Sequence, residues 1–204
     1  MRSTDDRYRS DQARHDLALR LIAHEARTGT IRQLTGLSDD RIRRLFGSYF
    51  KHQPGNAVRR RRGRTPSQVS MFLKTPRHRR HAASLAAAFV AGGLFDPETR
   101  AVCGDCKLDT GERLCLAYER YLALHGGKDG ALLTIEWAWA LLGSLQAGDE
   151  LALDVCEQCD VHYVRDLLSI EAQQCPSCLV MPNGRCRKSR DHAHTGDTLG
   201  AGFA

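Results

Sequence analysis

Aromatic side chains make up only 6% of the 204 residues, with two Trp, five Tyr and six Phe. A core built on large rings is therefore excluded, and Leu and Ala are left to fill it. No run approaches the ~18 consecutive apolar residues of a membrane span. The opening residues, Met1-Arg2-Ser3-Thr4-Asp5-Asp6, hold no hydrophobic signal region. The eight cysteines stand at metal rather than disulfide spacings, which favours a reducing, cytoplasmic setting. Also missing are the marks of an enzyme. No Ser/His/Asp order, phosphate-cradling loop or metal set with an open position can be picked out, so no catalytic residue and no small-molecule substrate are expected.

What is present begins with four cysteines. Fifteen residues separate Cys156-Glu157-Gln158-Cys159 from Cys175-Pro176-Ser177-Cys178. A two-residue gap lets both sulfurs of one turn point at a single ion, and two such turns complete a tetrahedral, four-thiolate zinc site. Between them, Val161-His162-Tyr163-Val164 alternates apolar and polar residues, as a short strand does. The segment reads as a small zinc ribbon. Four unrelated buried cysteines are the plain alternative, and a thioredoxin-like redox pair is disfavoured because no βαβ pattern surrounds either turn. Four protein ligands leave no site for substrate, so one zinc per chain is expected in a structural role. It would hold a segment too small to bury its own core, and loss of a ligand would unfold that segment.

The second feature is charge. The formal net charge is +6, but residues 1–81 hold 20 Lys/Arg against 7 Asp/Glu and residues 82–204 hold 10 against 17. A basic half joined to an acidic half points to a polyanionic partner for the first.

Along the chain, residues 1–10 read as disordered, and a helical period starts at Asp11, with Ala13, Leu17, Leu21 and His24 on one face and Gly29 as its terminator. Thr30 to Leu45 reads as a helix-turn-helix. Ile31 and Leu34 face the core, Gly36 makes the turn, and Leu37 plugs the corner. Ser38 caps the second helix, Asp39 and Asp40 suit its first turn, and Ile42 and Leu45 point inward. Arg41, Arg43 and Arg44 remain outside, where arginines can read guanine edges or grip phosphates. A plain helical hairpin with a solvated basic face would share this pattern. The irregular stretch 51–66 carries Arg59, Arg60, Arg61, Arg62 and Arg64, suited to phosphate or minor-groove contact. A second basic group, Arg77, Arg79 and Arg80 with His78 and His81, opens a helix from about His78 to Leu94 broken by Gly92-Gly93. Cys103 and Cys106 resemble a third knuckle without an evident fourth ligand; Cys115 lies in a helical pattern, so a loop with free thiols is the reading. Helices follow at Thr110–Leu124 and from Gly130 to Ala147, the latter apolar nearly all round and therefore central. The Gly-, His- and Asp-rich tail beyond Cys178 reads as disordered.

Taken in order, these features resemble the FlhC family, subunits of the bacterial flagellar master transcriptional activator, over roughly residues 14–180. The resemblance rests on the basic helix-turn-helix, Phe72 followed by His81-Ala82-Ala83-Ser84, Ala117-Tyr118-Glu119-Arg120-Tyr121, the Trp-bearing helix and the paired C-x-x-C. It implies a mainly helical protein with zinc on Cys156, Cys159, Cys175 and Cys178. It also implies that the chain acts with an FlhD-like partner in a heterohexamer on DNA upstream of flagellar operons, recruiting RNA polymerase. The family's Pro/Gly-rich stretch with a Trp before Phe72 is replaced here by the arginine run. The expected organisation is a disordered arm (1–13), a helical DNA-binding and assembly domain (14–149), a zinc ribbon (150–180) and a disordered tail (181–204). An RNA-binding zinc-ribbon protein is the alternative, and it would expose aromatics for base stacking.

Overall fold

A computed structural model describes residues 2–51, 58–64, 66–103, 109–170 and 175–180, with residues 2–5 and 180 described by backbone alone. Cys106, Cys186 and the tail beyond residue 180 lie outside the described residues. Among those described are six α-helices: α1 (Arg2–Ala23), α2 (Thr28–Thr35), α3 (Asp39–Tyr49), α4 (Pro76–Ala91), α5 (Thr110–Leu124) and α6 (Ile135–Ala147). One antiparallel hairpin follows, β1 (Leu151–Val155) with β2 (His162–Asp166). The fold is mainly helical with the cysteine cluster near its C-terminal end.

The core is built mostly from Leu and Ala, as the shortage of aromatics requires. Leu17, Ala18, Leu21 and Ile22 of α1 meet Leu114, Ala117 and Tyr118 of α5, and Ala82, Leu85, Ala86 and Phe89 of α4 meet Ala138, Leu141 and Leu142 of α6. Gly111, at the start of α5, marks a close approach: a Cβ there would stand 2.7 Å from Leu17 Cδ2 and 3.4 Å from Leu34 Cβ.

Several boundaries differ from the sequence reading, each for a physical reason. Helix α1 starts at Arg2 rather than Asp11, and residues 6–14, Ala13 included, are exposed. Hydrophobic period cannot mark a helical turn that packs on nothing. There, Asp6/Arg9 and Asp11/Arg14 sit at the three-residue spacing that supports an exposed helix. Gly29 does not end α1. The helix closes six residues earlier, with Glu25 in the left-handed conformation (φ 63°) and the Ala26 N–H donating to Leu21 O at 3.0 Å. This is the backbone position at which glycine is usual. Gly29 instead lies exposed in α2. Helix α4 starts at Pro76 behind the Thr75 cap and stops at Ala91 with Gly92 as its C-cap. Helix α6 starts at Ile135, because Tyr121 holds the N–H groups of Leu132 and Leu133 ahead of it. The Tyr121 hydroxyl accepts the Leu132 and Leu133 N–H groups at 3.1 and 3.0 Å. Trp137 and Trp139 are half-buried, Trp137 lying edge-on to Phe72 with ring centroids 5.5 Å apart.

The hairpin is not a free-standing ribbon. Leu151 and Val164 belong to the same apolar cluster as the helices, Leu153 packs against it, and β2 runs beside α4. The alternation that marks β2 is matched by β1, which the sequence reading did not identify. The pairing Val155↔His162 makes the first cysteine turn the loop of the hairpin.

Candidate metal centre and basic surface

The hairpin loop explains the first C-x-x-C. The Cys156 N–H donates to Val161 O at 3.0 Å, and the Asp160 N–H donates to Cys156 O at 2.8 Å, curling the chain so that both sulfurs face one point. Asp160 takes a left-handed conformation (φ 57°) to bring the chain out of the turn. The second pair is a similar turn closed by the Leu179 N–H on Cys175 O at 3.1 Å, with Pro176 buried inside.

The two turns meet. Sγ of Cys156 and Cys178 are 3.7 Å apart, Cys159 and Cys175 3.7 Å, and Cys178 and Cys159 3.6 Å. All four sulfurs lie within 4.8 Å of one another. A tetrahedral ion with metal–sulfur bonds near 2.3 Å spaces its ligands by about 3.8 Å, and these three sulfur pairs already sit close to that separation. Burial acts to raise the Cys156 thiol. The backbone N–H groups of Gln158 and Cys159, with the neighbouring sulfurs, overcome it and bring Cys156 down to about 7. Donors aimed at that sulfur favour its thiolate, the form that binds metal, whereas burial and the neighbouring sulfurs push Cys159 up. These four cysteines could therefore hold one metal ion, with every tetrahedral position filled by protein.

Of the Cys103–Cys106 knuckle, only Cys103 lies among the described residues. Cys103 is exposed, whereas Cys115 is fully buried in α5 with its thiol pushed up to about 12 by burial. Among the described residues the four-cysteine group is the only metal-capable cluster.

The basic candidates fall into three places. In the first, α2 ends at Gly36 (φ 69°), Leu37 is buried, and Ser38 caps α3 by accepting the Arg41 N–H at 3.4 Å. Ile42 and Leu45 point into the core, while Arg41, Arg43 and Arg44 are exposed. Arg43 pairs with Asp40 at 2.8 Å and the Arg44 Nε–H reaches Asp40 O at 3.5 Å, so Arg41 is the least engaged of the three. Asp40 was expected to serve the helix dipole; here it also ties down Arg43.

In the second place, residues 58–64 lie against that helix pair, Arg59 and Arg60 bordering a small gap lined by Ile22, Ile31, Ile42 and Phe46. Glu25 anchors this segment, accepting the Arg59 backbone N–H at 3.3 Å and pairing with Arg61 at 2.9 Å. Arg60 reaches Thr28 Oγ1 at 3.5 Å. The Arg59, Arg62 and Arg64 guanidinium groups have no hydrogen bond or ion pair among the described residues. The sequence held no sign of Glu25's role, because 36 residues separate it from Arg61.

In the third place, Arg77 and Arg80 are exposed on the first turns of α4, and the Arg79 Nε–H donates to Leu73 O at 3.1 Å. Arg77 and Arg80 border the buried His81, whose Nδ1 is 2.7 Å from the Tyr121 hydroxyl and whose ring stacks on His125 at 3.9 Å. Burial, aided by His125, Arg77 and Arg80, lowers His81 from 6.5 to about 4.

The quoted Tyr118 and Glu119 have structural roles. Glu119 joins α5 to α1 through Arg20 and His24, the latter at 2.9 Å. Tyr118 is buried with its hydroxyl donating to Leu133 O at 3.3 Å. A buried carboxyl that the sequence reading missed, Glu136 on α6, accepts the Arg27 N–H at 2.7 Å and the Thr30 hydroxyl at 3.1 Å, fastening the start of α2 to the central helix. No described helix is long and apolar enough to cross a membrane. Compared with protein-family models and with curated proteins, the chain matches none.

Proposed function

We propose that this protein is a DNA-binding transcriptional activator subunit of the FlhC type, acting with an FlhD-like partner upstream of flagellar operons and recruiting RNA polymerase. The observation that carries the reading is the α2–α3 pair. A left-handed glycine turn, a buried corner leucine and a capped second helix leave Arg41, Arg43 and Arg44 facing solvent. In this reading the pair is a helix-turn-helix and α3 is its recognition helix. Arg41 lies in its first turn, where such helices touch base edges. Arg59, Arg62 and Arg64 supply phosphate or minor-groove contacts beside it, and Arg77, Arg79 and Arg80 add a further basic group. The ion in the four-cysteine site is zinc, since four thiolates gathered around one point suit it. Its role is structural. Stacking of exposed RNA bases draws less support: of the five aromatics in the basic half, Phe72 is buried, Phe46 and Phe50 are half-covered, and only Tyr8 and Tyr49 are exposed.

The test measures affinity for operator DNA and for random duplex, with the partner present in both. Arg41→Ala is expected to cost about 1–3 kcal/mol on the operator and much less on random DNA. Replacing Arg59, Arg62 and Arg64 by Ala should weaken both, and should flatten the slope of log affinity against log salt by roughly 0.9 for each phosphate no longer neutralised. Equal losses on the two DNAs for Arg41→Ala would remove α3 as the reader of sequence. A chain that is a soluble monomer indifferent to an FlhD-like protein would remove the partner.

A further inference from the structure

One pocket outside the cysteine site combines a cavity with a cluster of charges. It encloses about 250 Å³ between the C-terminal end of α1, the 58–64 segment and the chain leading into α6. Tyr118 and Leu133, 4% and 1% exposed, line it as buried wall. Around them stand His24, Arg59, Arg61, Lys128 and Thr134, with Glu25 and Asp129 as the carboxylates.

The polar groups are under-used. His24 Nε2 faces Glu119 Oε1 at 2.9 Å, which leaves Nδ1 buried and without a hydrogen-bond partner. Lys128 Nζ donates to Ala23 O at 2.8 Å, and an ammonium has three donors. Arg59 lends only its backbone N–H to Glu25. Thr134 is the N-cap residue of α6, yet its side chain makes no capping bond there. The Arg61–Glu25 pair, at 2.9 Å, closes one wall. Three permanent cations face two carboxylates, and one of the three is already neutralised.

We propose that this pocket binds the phosphate monoester group of a small hydroxylated metabolite. Arg59 and Lys128 present free charged donors to the phosphoryl oxygens, the strongest hydrogen bonds available to such a group. The Thr134 hydroxyl serves the ligand's hydroxyl. The occupant is small, because the volume lies below the ~300–1,000 Å³ of pockets for drug-sized ligands. A duplex phosphodiester shares the chemistry and can reach Arg59 and Lys128, which are exposed at the mouth, so the test below separates the two sources. The inference does not rest on the nucleic-acid reading, although Arg59 belongs to both surfaces.

Calorimetric titration of the metal-loaded full chain at fixed ionic strength tests it, with inorganic phosphate, glycerol 3-phosphate and a short DNA duplex as three separate probes. One-site binding of glycerol 3-phosphate is expected, tighter than inorganic phosphate. It should weaken about tenfold or more in Lys128→Met and in Arg59→Met, as loss of a charged hydrogen bond implies. Lys128→Arg keeps the charge and should restore most of the binding, which separates removal of the charge from disruption of the fold. Arg62→Ala and Arg64→Ala, basic neighbours that do not line the pocket, should bind as wild type does. The proposal is overturned if neither small phosphate saturates, or if Arg62→Ala and Arg64→Ala lose as much as the pocket variants. Duplex binding that depends on Lys128 while glycerol 3-phosphate fails to bind would also overturn it, assigning the pocket to backbone phosphates.

Discussion

An ion held by the four cysteines would cross-link the hairpin loop to the turn at 175–178, and chelating it, or replacing Cys175 by Ser, would remove that cross-link. The hairpin itself has a second attachment. Leu151 is fully buried and Val164 is 4% exposed, both within the apolar cluster of the helices. Full burial of an aliphatic side chain contributes roughly 1.5–3 kcal/mol, so these two supply about 3–6 kcal/mol that does not depend on metal. Among the described residues the cysteine turns have little of this kind: Cys156, Cys175 and Cys178 bury one another with only Cys159 and Tyr163 alongside. Hydrogen exchange compares the metal-loaded and metal-free chains. Amides of residues 156–161 and 175–179 should lose most of their protection on metal removal. Those within β1 and β2 should stay protected by about a hundredfold to ten-thousandfold, the factor that the apolar attachment implies. Val164→Ala should act in the opposite sense. It costs roughly 2 kcal/mol in burial and cavity, loosens the strands, and leaves the metal content per chain unchanged. If strand and knuckle amides lose protection together in the metal-free chain, the ion holds the whole segment and the apolar attachment has been overvalued.

Three further outcomes follow from the packing. Tyr121→Phe deprives the buried Leu133 N–H and His81 Nδ1 of a partner, as well as the Leu132 N–H. It should cost about 1–3 kcal/mol, read as a lower denaturation midpoint with an unchanged slope; a loss under about 0.5 kcal/mol would show that water replaces the hydroxyl. Gly111→Ala places a methyl against Leu17 and Leu34 where α5 meets α1 and α2. Overpacking of about 1–3 kcal/mol outweighs the gain in helix propensity, so a stabilised variant would refute the close approach. His81 is neutral in the fold and lowered to about 4 from 6.5, so the unfolded chain binds the extra proton first. Stability should therefore be intact above about pH 6.5 and fall as the pH drops toward 4. His81→Gln should flatten that decline, and an unchanged pH slope of the melting temperature would rule His81 out as its source.

The sequence by itself determined the local features. Spacing alone placed Cys156, Cys159, Cys175 and Cys178 around one point, because a C-x-x-C turn is short enough to aim both sulfurs without help from elsewhere. Gly36, Ser38 and the apolar positions Ile31, Ile42 and Leu45 likewise marked two helices and their turn, since caps and left-handed turns are decided within a few residues. Other features depended on distant partners. The end of α1 carries a glutamate where glycine is usual, and Glu25 then anchors an arginine segment more than thirty residues away. The start of α6 was set by a tyrosine on α5, and the buried Glu136 found its partners on α2. The hairpin's place against α4 came from Leu151 and Val164 joining a core whose other members precede them in the chain. Short-range geometry is written in neighbouring residues, whereas the choice of which buried polar group meets which donor is made only when the helices pack.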